Sequence, residues 1–113
     1  MNSSKRSAVA GSPARVLASG QSEAAFLLLW SSVEGLLRRL GERALLPLAS
    51  LPASALIREL YSAGEIGREQ FDDLMRLLPI RNQLVHGFGS DEGIETEQLR
   101  LLVNSLLSEV RNP

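Results

Sequence analysis

Five large apolar residues, Phe26, Trp30, Val33, Leu37 and Leu40, follow one another at spacings of four, three, four and three. That rhythm lays one apolar stripe along an α-helix. On a strand, where side chains alternate, it would scatter over both faces. No other stretch constrains the fold as strongly. The spacing predicts a helix over residues 22–45, with Ser22 as its cap and Glu23 at its positive N-terminal end. Leu27, Leu28, Leu29 and Leu36 widen the stripe, so a second side is expected to meet another helix or a second copy of the chain.

The remaining segments carry the same preference. The chain holds 22 Leu and 11 Ala against six Val, four Ile and one Thr, a balance that favours helices over strands. Pro52 and Ser54 mark the start of a second helix that buries Leu56, Ile57, Leu60 and Tyr61 and ends at Gly64. A third is expected from Arg68, with Phe71, Leu74, Met75 and Leu78 facing inward. Pro79 has no amide hydrogen for the carbonyl of Met75, so a kink or a restart is expected there. After a polar, Gly-rich turn over residues 87–93, Thr96 caps a last helix. Its buried face is Leu99, Leu102, Val103, Leu106 and Val110, with Leu107 beside them. The expected fold is all-α: an antiparallel up-and-down bundle of four to five helices over residues 21–113.

Residues 1–20 carry Lys5, Arg6 and Arg15, no acid and few large apolar groups. They are expected to form a flexible basic tail, with an organelle transit peptide as the alternative. Residues 21–113 hold nine Arg against 13 acids, so the net charge of −1 averages a basic start with an acidic body. No apolar run approaches the ~18 residues of a membrane span, and a cytoplasmic location is expected.

Whole classes of chemistry drop out. The chain has no Cys, which excludes disulfides and thiolate metal sites. Its single His excludes a His-rich metal site within one chain, and its single Lys, Lys5, lies outside the expected bundle. No cofactor and no metal are expected. Gly87, Gly89 and Gly93 follow a helix instead of a strand, at the wrong spacing for a nucleotide loop.

What remains is Arg81, Asn82 and His86. Asn82 and His86, four residues apart, share a helix face, while Arg81 stands about 140° from His86 and must bend to join them. A general base or acid, an orienting amide and a cation are the parts needed to cleave RNA without a metal. Plainer roles stand beside this one. His86 can serve the C-terminal end of a helix, Arg81 can pair with Glu34 or Asp73, and Asn82 can cap a helix restarting after Pro79.

The string RNQLVHG, with four residues between Arg81 and His86, resembles the signature of the HEPN superfamily. The order AAFLLLWSSVEGLLR, SALIREL, REQFDDLMRLLPIRNQLVHG resembles small bacterial HEPN-like domains over about residues 22–111. The resemblance implies a homodimer whose two Arg–His motifs meet in a cleft and cut RNA without a metal, in a toxin or defence role. Arg81, Asn82 and His86 are the positions that match. It also implies an antitoxin or another protein partner. Some toxin members carry a Tyr two residues after the His, which a partner modifies; here that residue is Phe88, without a hydroxyl. Other members are non-catalytic dimerisation modules or bind nucleotides or protein partners, and that is the second reading.

Overall fold

The computed structural model describes residues 13–48, 50–87 and 96–111, with side chains from residue 20 onward. Four helices make up most of them: α1 Pro13–Arg43, α2 Ala53–Ser62, α3 Arg68–Val85 and α4 Thr96–Arg111. No strand occurs among the described residues, and the chain is an all-α bundle. The stripe of α1 forms its axis. Phe26, Trp30, Val33, Leu37 and Leu40 are buried in one cluster with Leu56, Ile57 and Leu60 of α2, Leu74 and Leu77 of α3, and Leu99, Leu102 and Leu106 of α4. Most of the extra width of α1 is used inside the chain. Leu27, Leu29 and Leu36 pack against the core, and of these four leucines Leu28 alone is largely exposed, at 72%.

α1 begins at Pro13 instead of Ser22, and Ser22 lies inside the helix without capping it. The apolar rhythm starts only at Phe26, so it carries no information on the preceding turns. A helix already nucleated extends at little cost per residue, and proline suits a first helical position. Residues 1–12 lie outside the described residues.

α1 stops through the hydrogen bonds of a Schellman turn. The Leu46 amide donates to the Gly41 carbonyl at 2.9 Å, and the Leu45 amide to the Glu42 carbonyl at 3.0 Å. This turn needs a left-handed residue, and Leu45 supplies it with φ at 60°. Arg38 then staples the connection, donating to the carbonyls of Leu48 and Leu51 at 3.2 Å each. Gly41 gives Leu48 room to be buried: a Cβ there would stand 2.7 Å from the Leu48 Cδ1.

The expected up-and-down order needs correction. Arg43 donates to the carbonyls of Val110 at 2.7 Å and Glu109 at 3.0 Å, so α1 and α4 end at the same end of the bundle. α3 starts there too, because Gln70 donates to the Ser105 hydroxyl at 2.6 Å. Four full-length helices in strict alternation would bring the start of α4 to the end of α1. The reason lies in α2. Its ten residues span only about 15 Å, against ~46 Å for α1, so it turns the chain without retracing α1.

α2 ends as expected at Gly64, whose φ is 78°. Tyr61 and Phe71 stack across the turn with ring centroids 4.6 Å apart. Of the two outcomes expected at Pro79, the restart does not occur: α3 runs from Arg68 to Val85 as one helix. The proline ring is on the exposed side, and Ile80 and Leu84 beyond it are buried. Ile80 and Leu84 carry the buried face of the helix on past the missing amide.

Candidate functional site

The buried Ile80 and Leu84 fix the C-terminal end of α3 against the core. The residues between and after them therefore face outward: Arg81 is half-buried, and Asn82, Val85 and His86 are exposed. The helix closes on a tight end. The His86 amide donates to the Asn82 carbonyl and the Gly87 amide to the Leu84 carbonyl, both at 3.1 Å. Gly87 has φ at 82°, the left-handed region that glycine enters without a Cβ clash. His86 is the C-cap, and its backbone leaves the regular helix there.

The decisive contact is between neighbours. The Arg81 Nη1 donates to the Asn82 Oδ1 at 3.0 Å. An ideal helix directs Arg81 about 140° away from His86. The hydrogen bond turns the guanidinium across to the Asn82 side, which His86 shares. The cation and the amide are thus joined on the side of the helix to which the four-residue spacing also assigns His86. The amide orients the arginine; among the described residues no hydrogen bond joins His86 to either partner.

Two of the plainer roles do not hold here. Asp73 is engaged by Arg76 at 3.7 Å, while Arg81 is held by Asn82. Asn82 caps no restarted helix, since α3 does not restart. Phe88 and most of the Gly-rich turn lie outside the described residues. Thr96 is the first residue of α4, and the position before it is likewise not described.

Sequence reasoning passed over Val85, which is 52% exposed beside the three polar groups. The available signal was its spacing, four residues after Arg81 and one before His86. Surface hollows of ≈ 200 Å³ against Leu46, Pro47 and Leu48, and of ≈ 280 Å³ between Glu69, Asp73 and Leu101, contain none of the site residues. Among the described residues no group of His, Asp or Glu could hold a metal ion. No described helix is long and apolar enough to cross a membrane. No family model, curated protein or solved structure matches the chain.

Proposed function

We propose that the chain is an HEPN-like, metal-independent endoribonuclease of toxin or defence type. It acts in the cytoplasm as a homodimer, and Arg81, Asn82 and His86 of both copies form a composite site. One observation carries the reading: the Arg81 guanidinium is bonded to Asn82 on the side of the helix to which the four-residue spacing also assigns His86. The RNQLVHG string and the order of its helices support the family assignment.

In this mechanism one His86 removes the proton from a ribose 2′-hydroxyl. The 2′-oxygen attacks the adjacent phosphorus, and the bond from phosphorus to the 5′-oxygen breaks. The leaving 5′-oxygen takes a proton from the second His86. The products are a 2′,3′-cyclic phosphate and a 5′-hydroxyl. Arg81 neutralises the charge that builds on the phosphorane oxygens. Each chain has a single His, and an acid with a base requires two.

The exposed Leu28 supports the dimer. Nearby, the hydroxyls of Ser31 and Ser32 donate back to the carbonyls of Leu27 and Leu28, which leaves this outer face of α1 less hydrophilic than its composition implies. Light scattering is expected to show a dimer at micromolar concentration, and a monomer would overturn that part. The test of the activity is total RNA incubated with purified protein in EDTA, beside His86→Ala. Cleavage by the parent alone supports the nuclease. The second reading, a non-catalytic HEPN-like dimerisation or nucleotide- or partner-binding module, draws on the absence of a bond fixing His86 to its partners. A folded parent that leaves RNA intact would favour it.

A further inference from the structure

We propose that the open groove between the first half of α3 and the middle of α4 docks a cationic, amphipathic helix of a partner protein. The proposal stands apart from the reading of Arg81, Asn82 and His86, which lie toward the other end of α3. Glu69 and Asp73 line one wall of the groove, and Gln98 and Leu101 the other, around a hollow of ≈ 280 Å³. Its floor is fixed. Gln70 accepts from the Gly67 amide at 2.9 Å and donates to the Ser105 hydroxyl at 2.6 Å, tying the two helices together. Leu102 beside them is 3% exposed. The walls are open by contrast. Leu101 is 55% exposed, and neither the Glu69 carboxylate nor the Gln98 amide is paired with a described side chain. Asp73 meets Arg76 at 3.7 Å, a loose, partly exposed pair that an incoming cation can replace.

Charge and spacing identify the occupant. Among the described residues that line the hollow none is cationic. The two carboxylates stand four residues apart on one helix face, about 6 Å along the axis. Two arginines four apart on a partner helix match that separation, and a leucine on the adjoining face covers Leu101. From Gln98 to Ser105 the groove runs about 10 Å, or two helical turns. The hollow is smaller than the ~300–1,000 Å³ of small-molecule sites, and its carboxylates repel the phosphates of a nucleotide or an RNA. A second copy of the chain does not fit the pattern. Its only arginines four apart are Arg39 and Arg43, and Arg43 is held by the carbonyls at the end of α4.

The experiment uses the full chain and a fluorescein-labelled helical peptide of alanine, leucine and arginine, with its arginines four apart and its leucines on the adjoining face. Anisotropy at low salt reads binding, and a counterpart with glutamate in place of arginine is the control. The arginine peptide is expected to bind and the glutamate peptide not. Glu69→Gln combined with Asp73→Asn should weaken binding about tenfold, the sum of two modest ion pairs. Leu101→Ser should weaken it by a similar factor. Asp72→Asn, which neutralises an acid outside the groove, should leave it unchanged. Melting temperatures and the state of association should be those of the parent throughout. An arginine peptide that fails to bind, or a glutamate peptide that binds equally well, would overturn the proposal. Equal weakening by Asp72→Asn would assign the attraction to the acidic body as a whole, and the groove would not be the site. A changed state of association in the groove variants would make a second copy the occupant, and the proposal would be wrong.

Discussion

Replacing Leu45 by glycine should make the protein more stable. Leu45 has φ at 60° and is 89% exposed, so its side chain packs against little while its backbone occupies the left-handed region. For an L-residue with a Cβ that conformation costs roughly 1–2 kcal/mol, and glycine removes the cost. Two terms oppose the gain. Glycine enlarges the unfolded ensemble, at about 0.4–1 kcal/mol. The small fraction of leucine surface that is covered contributes only about 0.2–0.3 kcal/mol, from ~1.5–3 for full burial. The balance is a stabilisation of about 0.5 kcal/mol. On the scale of 4–8 °C per kcal/mol for small domains, that raises Tm by roughly 2–4 °C. Leu45→Ala is the control, because it removes the side chain and keeps the strained backbone. Urea melts of the three proteins, at one protein concentration and with a common m-value, separate the contributions. A Leu45→Gly variant no more stable than Leu45→Ala would refute the reasoning, since the two differ chiefly in the conformational term.

Gly41→Ala should change stability by no more than about 1 kcal/mol, because the Leu48 Cδ1 that its Cβ would meet at 2.7 Å must shift while alanine gains roughly 0.5–1 kcal/mol of helix propensity inside α1; thermal melts check it. Arg43→Ala should cost about 0.5–1 kcal/mol and speed amide exchange in the last turn of α4, whose carbonyls at 109 and 110 lose their guanidinium partner. If the nuclease reading is right, His86→Ala should lower kcat ~10²–10⁴-fold and Arg81→Ala about 10²–10³-fold with the fold intact. The double variant should be barely worse than either single one, and Arg81→Lys should fail to restore cleavage. Single-turnover assays on RNA, paired with melts, would show whether activity falls without stability.

The helix types and most of the core were legible because burial follows apolar spacing directly. Phe26, Trp30, Val33, Leu37 and Leu40 are all buried, as their rhythm requires. Leu77, Ile80 and Leu84, also buried, were harder to read, because a proline at 79 normally argues for a new helix axis. The path between helices was less legible still. Whether α2 makes a full pass depends on its length, and its end is set by the turn at Gly64. At the site, the spacing brought Asn82 and His86 to one face. The turn of Arg81 onto Asn82 is a matter of side-chain conformation, on which the order of residues is silent. The extent of α1 before Phe26 was hidden for a different reason: turns with nothing to bury leave no periodic trace.

The meeting of Arg43 with the end of α4 also determines where attached sequence would project. Anything joined after Arg111 leaves at the end of the bundle where α1 finishes and α3 begins. α1 starts toward the opposite end, where α3 finishes with Arg81 and His86. A carboxyl-terminal fusion therefore stands clear of the candidate site.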